Sequence, residues 1–286
     1  MNEICVVHLV RAYNGIQPLR NFLESYKLNP GGIAHDLVIL FKGFESEEQL
    51  LEYRVVLKPF KYKELHVKDE GFDITAYFAV PRLLDYKYYC FLNSFSVLLD
   101  LEWLLKMYRY ISKDEVGLVG ATGSYQSLYA PLDSNQRKLM IERSIFWTVR
   151  YVIIVMVNKV RFEPYFDKFP NFHVRSNAFM IKNEIIKNIV IRRISNKMDA
   201  YKCESGKQSI AKQVMGLGKS ALVIGADGKA YEKDDWWESN TFWRANQENL
   251  LVSDNQTRAY ANSDHVQKIL FSMSAWGAKA WPIKPY

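Results

Sequence analysis

The strict alternation of short apolar runs with helical patterns over the first 125 residues constrains this chain more than any other feature. Ile4 to Val10, Leu37 to Phe41, Glu64 to Val67, Tyr88 to Leu92 and Val116 to Val119 read as strands. Gln17 to Tyr26, Glu45 to Leu57, the stretch from Asp73 through Leu84, and Asp100 to Ile111 read as helices between them. Such turn-by-turn succession is the mark of parallel βαβ units, because a parallel neighbour needs a crossover long enough to hold a helix. Tyr88 to Leu92 is apolar throughout and predicts a central strand buried on both faces. The expected fold class is α/β, a doubly wound mixed sheet flanked by helices. Ligands of such sheets sit beyond the carboxyl ends of the strands, which nominates Arg11 to Gly15, Lys42-Gly43, Asn93 to Ser96 and Gly120 to Ser124 as the mouth of a site.

Composition removes several alternatives. With 286 residues and 49% hydrophobic content the chain can bury a large core, and 14 Gly and 9 Pro exclude collagen-like or low-complexity structure. Cys5, Cys90 and Cys203 are odd in number and far apart, so neither a disulfide framework nor a cysteine zinc site is expected. The five histidines form no H-x-x-x-H or H-E-x-x-H pattern, which argues against a hydrolytic zinc site. Met1-Asn2-Glu3 lacks a basic n-region and the first apolar run stops at Arg11, so a cytoplasmic location is expected.

Charge is concentrated. The net charge is +7, yet residues 137 to 197 alone hold 13 Lys/Arg against 4 Asp/Glu. Arg143, Arg150 and Arg161 are spaced to return to one side of a helix, while Ile145, Val149, Val152, Ile153, Met156 and Val160 fall mainly elsewhere on it. That is the pattern of a helix lying in a membrane interface, with Lys138, Lys159, Lys168 and Arg192-Arg193 favouring an anionic leaflet by about 1 kcal/mol each. The β-branched content of the same stretch also fits a buried strand. At 13 residues, interrupted by Arg150, the apolar run from Ile145 to Val157 is too short to span a bilayer. The expected placement is peripheral, on the inner face of the membrane. Nucleic acid is not an expected partner, since no zinc-finger, RNP-like or Gly-rich clamp motif accompanies the charge.

In the second half, His173 to Ile181 reads as one strand carrying His173 and Arg175 on the same side, followed by a helix from Lys182. Glu204-Ser205-Gly206-Lys207 then precedes a helix over Ile210 to Met215 and a strand over Ala221 to Ile224. The tail holds Trp236, Trp237, Trp243, Trp276 and Trp281. The expected organisation is one continuous domain, with a nucleotide-sugar-binding half over 1–135, a basic amphipathic insertion over 136–168 and an acceptor half over 169–286.

The order of these elements, with I-C-V-V-H-L-V-R-A-Y-N-G at the start, D-I-T-A-Y-F-A-V-P-R-L-L-D-Y-K-Y-Y-C-F-L-N-S-F-S in the middle, and H-V-R-S-N-A-F-M-I and E-S-G-K-Q-S further on, resembles the GT-A nucleotide-sugar glycosyltransferases, particularly bacterial family 2-like enzymes of surface-polysaccharide or glycolipid synthesis. The family's D-x-D motif, which holds a divalent ion against the nucleotide diphosphate, matches Asn93-Ser94-Phe95 here. The resemblance therefore implies an enzyme that needs no cofactor and no divalent metal, with Arg11, Lys42, His173, Arg175 and Lys207 as cations for the leaving diphosphate. It implies Asn14, Asp73, Asn93 and Ser94 as further donor contacts. Glu204 matches the acidic motif that supplies the base of an inverting transfer, and Asp254 is the runner-up. Thr122, Ser124, Trp237 and Trp243 are the expected acceptor contacts. Each has a plainer alternative: a strand-end turn for Asn93, a helix terminus for Glu204, Asp73 and Asp254, and core packing for the tryptophans. Rival readings are an inactive GT-A-like binding protein and a basic α/β nucleic-acid-binding protein; donor, acceptor, stereochemistry and oligomeric state stay open.

Overall fold

The computed structural model describes residues 2–128 and 145–280; Lys138, Arg143 and Trp281 lie outside them. The chain opens with β1 (Ile4–Arg11), α1 (Gln17–Leu28), β2 (Asp36–Lys42), α2 (Glu47–Leu57), β3 (Tyr62–Val67), α3 (Asp73–Leu83) and β4 (Tyr88–Leu92). It continues with β5 (Val97–Leu98), α4 (Trp103–Ile111), β6 (Val116–Gly120), β7 (Gly123–Ser124), α5 (Ile145–Phe162), β8 (His173–Val174) and β9 (Ala178–Lys182). The remainder forms α6 (Asn183–Ile186), α7 (Lys197–Ser205), α8 (Ile210–Gly216), β10 (Ser220–Ile224), β11 (Ala230–Tyr231), β12 (Val252–Ser253), α9 (Asn255–Ala261) and α10 (His265–Trp276).

Eight strands make one sheet in the order β11-β10-β6-β9-β4-β1-β2-β3. β1 to β4 pair in parallel, as do β6 and β10, while β9 runs antiparallel between β4 and β6 and β11 antiparallel to β10. This is the doubly wound mixed α/β sheet expected. Successive residues of one strand face opposite layers, so each strand feeds two cores. Cys5, Val7 and Leu9 of β1 pack with Ile74, Tyr77 and Val80 of α3 and Val214 of α8 on one side. Ile4, Val6 and Val10 pack with Phe22 of α1, Leu50 of α2 and Trp103 of α4 on the other. Apolar runs without alternation are the sequence expression of that double burial, and each fully buried Leu or Phe contributes roughly 1.5–3 kcal/mol.

Two expectations are corrected. The single strand from His173 to Ile181 is divided: His173–Val174 pairs with Gly123–Ser124 in a separate ribbon, and only Ala178–Lys182 enters the main sheet. Arg175-Ser176-Asn177 forms the corner between them, tied down by Arg175 N–H donating to Thr122 O (3.1 Å) and Asn93 N–H donating to Asn177 O (2.9 Å). No Gly or Pro marks that corner, so periodicity alone ran through it. Glu204 lies in the last turn of α7 instead of ahead of a helix; the next helix begins at Ile210 behind Ser209. The stretch from Ile145, which fitted either a helix or a strand, is the helix α5.

His8 is an unusual core residue. It is fully buried on β1, stacked on Phe22 of α1 with ring centroids 3.7 Å apart, and neither ring nitrogen has a hydrogen-bond partner among the described residues. Burial disfavours the imidazolium and pushes its pKa down to about 3. Between pH 6.5 and that value the unfolded chain binds a proton that native His8 refuses, so stability falls as pH is lowered through this window. His8→Phe should flatten the dependence of unfolding free energy on pH there by up to about 1.4 kcal/mol per pH unit. Denaturant titrations of both proteins at a series of pH values check this; parallel curves would remove His8 as a source of the slope.

Candidate functional site

The carboxyl ends of β1, β2, β4 and β6 and the amino end of β9 meet at one edge of the sheet. At the end of β4, Asn93 makes a turn: its Oδ1 accepts from Phe95 N–H (3.0 Å) and from the Ser96 hydroxyl (3.1 Å). An Asn at a strand end is suited to this local bonding, and the acceptor oxygen is thereby used within the turn. Ser94 beside it is only 4% exposed and its hydroxyl has no partner among the described residues.

Arg11 and Lys42 are register neighbours at the ends of β1 and β2. Asp69 links them: Arg11 Nη2 lies 3.0 Å from its Oδ1 and Lys42 Nζ 3.6 Å from the same oxygen. Gly43 (φ 75°) permits that approach, since a Cβ there would stand 2.9 Å from Asp69 Cβ. Lys42 is fully buried and donates to Gly71 O (2.8 Å) and Phe72 O (3.0 Å), so its ammonium is used to clamp the loop that opens α3. Burial and the Arg11 charge push its pKa down, against Asp73 and Asp69. Arg11 keeps its Nε–H buried and, among the described residues, unpartnered.

Asp73 begins α3, but Phe72 holds the cap position and no side-chain cap bond is made. Burial raises the Asp73 pKa, Arg11 and Lys42 oppose that rise, and Glu204 and Asp69 add to it. Two carboxyl groups from distant parts of the chain, Asp73 and Glu204, thus share one neighbourhood. Tyr77 of α3 is also there: its hydroxyl is buried without a partner among the described residues, and burial together with Asp73 and Glu204 holds the phenol well above its ordinary range. Glu204 is held by the corner before β9, its Oε1 accepting from both Ser176 N–H and the Ser176 hydroxyl at 3.0 Å. A carboxylate gains nothing from a helix carboxyl terminus, so its place at the end of α7 is not a helix-stabilising one.

Arg175, from the same corner, lies with its guanidinium 4.0 Å over the Phe242 ring and Nη2 3.6 Å from Asp254 Oδ2. Its Nη1 is buried without a partner among the described residues, as is Asn177 Nδ2. His173 is different. It is buried, with Nδ1–H donating to Asn171 O at 2.8 Å, and burial lowers its pKa to about 4 against the pull of Glu204. A neutral imidazole cannot supply the positive charge expected of it.

Asp254 is 1% exposed and forms a capping box at the start of α9, Oδ1 accepting from Thr257 N–H at 2.8 Å while Thr257 Oγ1 accepts from Asp254 N–H. Four residues on, Arg258 Nη1 donates to Phe95 O (3.1 Å), which ties this segment to the Asn93 turn. Thr122 and Ser124 face inward: the Thr122 hydroxyl donates to Asn177 Oδ1 (2.6 Å), and Ser124 Oγ accepts from Gln126 N–H (3.1 Å). Trp243 is packed between Phe242 (4.4 Å) and Phe271 (4.5 Å) and donates its indole N–H to Gln256 O. Trp237 stacks with Arg244 at 4.7 Å and Lys279 at 5.2 Å. Asn14 ends a short 3-10 turn after β1, next to the exposed Tyr13. Lys207 is exposed beyond α7, its N–H donating to Tyr165 O. Arg150 and Arg161 are exposed on α5.

Asp69, Tyr77 and Ser176 were not singled out from sequence. Asp69 sits in a charged loop with no motif, Tyr77 reads as one more core position of α3, and Ser176 matters only once the chain turns at it. The edge as a whole offers unpartnered donors from Arg11, Ser94, Arg175 and Asn177 beside carboxyls from Asp73 and Glu204. Among the described residues, no three His, Cys, Asp or Glu side chains are grouped to hold a metal ion. A concavity of ≈ 620 Å³ around Tyr88, Asp114 and Lys182 lies at the opposite edge of the sheet.

No protein-family model matches the chain, and no curated protein matches it in sequence. Solved structures with a similar chain path include the mannosyltransferase PcManGT from Pyrobaculum calidifontis in complex with GDP-Man and Mn2+, at 9% identity and TM-score 0.48, covering 97% of this chain and 69% of that one. 4-Diphosphocytidyl-2C-methyl-D-erythritol synthase from Anaerococcus prevotii is similar at 10% identity and TM-score 0.40, covering 71% and 81%. The mannosyltransferase Ktr4p from S. cerevisiae is similar at 9% and 0.40, covering 70% and 59%.

The capping role of Asp254 is open to direct measurement. Asp254→Ala should cost about 1 kcal/mol of stability or somewhat more, while Asp254→Asn, which keeps the cap acceptor, should stay near the parent. Equal loss in both variants would place the weight on the Arg175 contact instead.

Proposed function

We propose that this chain is a nucleotide-sugar-dependent glycosyltransferase that moves a sugar to a glycan or lipid-linked acceptor, with inversion and without a divalent metal. The observation that carries the reading is the sheet edge itself, where buried, unpartnered donors of Arg11, Arg175, Ser94 and Asn177 stand beside Asp73 and Glu204. Unmet buried donors are costly, and a diphosphate supplies the acceptor oxygens they lack. Asn93-Ser94-Phe95 at the end of β4 brings no carboxylate, so the charge-stabilising task falls to the guanidinium groups.

In the proposed reaction an acceptor hydroxyl oxygen forms a bond to the anomeric carbon. The bond from that carbon to the donor phosphate oxygen breaks, and its electron pair leaves with the nucleoside diphosphate. The hydroxyl proton passes to Glu204. Ser176 holds Oε1 of that carboxylate and orients it, while Oε2 has no hydrogen-bond partner among the described residues. Arg11 and Arg175 take up the charge that develops on the diphosphate. Asp73 is a sugar contact, its carboxyl oxygens accepting from sugar hydroxyls.

Calorimetry with UDP, GDP, CMP and dTDP, each with magnesium or manganese and then with EDTA, tests the reading. Binding of one nucleotide that survives EDTA is expected; binding only with metal would overturn the metal-free part, and no binding in any condition would overturn the transferase. Glu204→Gln should lower turnover by about 10²–10⁴-fold with donor affinity unchanged, and full activity would remove Glu204 as the base.

The proposal places the protein on an anionic membrane surface through α5. Ile145, Val149, Val152, Ile153, Met156, Val157 and Val160 of that helix are all exposed, with Arg150 and Arg161 beside them. No helix among the described residues is long and apolar enough to cross a membrane. Arg150→Gln with Arg161→Gln should weaken co-flotation with phosphatidylglycerol vesicles and leave the low binding to phosphatidylcholine unchanged; identical flotation would detach α5 from this role.

A further inference from the structure

The turn that follows β4 is fastened by a side chain from the far end of the sequence. Ser94 and Phe95 are the central residues of a β-turn closed by Ser96 N–H donating to Asn93 O at 3.1 Å. Phe95 N–H donates to Asn93 Oδ1 at 3.0 Å, which ties the peptide unit between Ser94 and Phe95. The carbonyl of the next unit, Phe95 O, accepts from Arg258 Nη1 at 3.1 Å across 163 positions of chain. The unit joining Phe95 to Ser96 is therefore held at both ends, by Asn93 O at its N–H and by Arg258 at its oxygen. A planar peptide held at both ends cannot swing about the chain, so the backbone that follows Ser94 is fixed and with it the direction of the Ser94 side chain.

Arg258 makes this contact against the preference of its own helix. It is the basic residue of the last turn of α9, where a cation stabilises the carboxyl end. Its guanidinium reaches back instead, Nη1 also donating to Ser253 Oγ (3.2 Å) ahead of the helix. A cation at a helix amino end gains nothing from the dipole, so α9 does not account for the placement. The start of the same helix holds Asp254, whose Oδ2 faces Arg175 Nη2 at 3.6 Å. One segment, 252–258, is thus fastened to both polar arms of the sheet edge, Arg258 to the turn after β4 and Asp254 to the corner before β9. Backbone pairing seats the segment there: Val252 and Ser253 lie opposite Leu98 and Val97 of β5, and Leu99 N–H donates to Leu251 O at 3.0 Å.

We propose that Arg258 is a positioning residue for nucleotide binding, acting through the Asn93–Ser96 turn to set the Ser94 hydroxyl where a phosphate oxygen meets it. The role rests on the transferase reading, in which Ser94 is one of the donors at the sheet edge. Arg258 Nη1 is committed to Phe95 O and Ser253 Oγ, so its effect on the ligand passes through the turn. A hydroxyl bonds well to an oxygen within about 2.5–3.0 Å, and a small rotation of a four-residue turn is enough to lose that contact. The bond from Arg258 is charge-assisted and therefore among the stronger ones available to hold the turn still.

The test uses the full chain. Whichever of UDP, GDP, CMP and dTDP the parent binds is titrated by calorimetry against Arg258→Met, Arg258→Lys, Ser94→Ala and the Ser94→Ala, Arg258→Met double variant. Arg258→Met keeps an apolar stem and loses every donor; it is expected to weaken binding about 10-fold, and Arg258→Lys about 3-fold or less. In the Ser94→Ala background the Met substitution is expected to cost under about 2-fold, because the group it places is already gone. Amide hydrogen exchange without nucleotide is the second readout: Phe95 and Ser96 N–H should exchange about 10-fold faster or more in Arg258→Met, with the amides of β4 unchanged. Equal loss of affinity with and without the Ser94 hydroxyl would overturn action through the turn, and unchanged exchange at Phe95 and Ser96 would overturn the positioning itself. Nucleotide binding that is equally tight in the parent and Arg258→Met overturns this role alone; a parent that binds none of the four overturns the transferase reading and this role together. If Arg258→Met does not fold, Arg258→Lys alone and combined with Ser94→Ala carries the same comparison.

Discussion

The site depends on the pairing of β9 between β4 and β6. Without an antiparallel strand there, the corner Arg175-Ser176-Asn177 would not reach the carboxyl edge of the parallel strands. That corner supplies three parts at once: the Arg175 guanidinium, the Ser176 pair of donors that orient Glu204, and the Asn177 carbonyl and amide that meet Asn93 and Thr122. A strand-to-strand ladder is a rigid way to hold such groups, since each side chain inherits the register of the backbone beneath it.

Around that ladder the charges are arranged in opposition. Lys42 is buried and tied to two carbonyls, Arg11 is paired with Asp69, and Arg175 lies against Asp254. Arg11 and Arg175 each also keep one buried nitrogen without a partner among the described residues. The raised pKa of Asp73 belongs to the same balance, because burial outweighs the two nearby cations.

Much of the scaffold was legible in the sequence. β4 could be read at its observed bounds from five consecutive apolar residues, and α3 and α8 from apolar spacing. That Arg11, Lys42, Asn93 and Ser94 share one edge of the sheet followed from the reading of parallel strands. Roles within that edge were less legible. Lys42 and Asn93 have the residue types of ligand contacts, yet the fold uses the ammonium to clamp Gly71 and Phe72 and the amide oxygen to make a turn. His173 was read as a cation, and burial makes it neutral.

Local pattern therefore determined the elements and the class of sheet, because periodicity of burial is a property of neighbouring residues along the chain. Tertiary structure alone decided which polar groups at that edge are satisfied and which are left over. Asp73 and Glu204 are 131 positions apart, and no spacing rule connects them. Their proximity and the depressed pKa of His173 follow from desolvation and long-range contact, which exist only after the chain has packed.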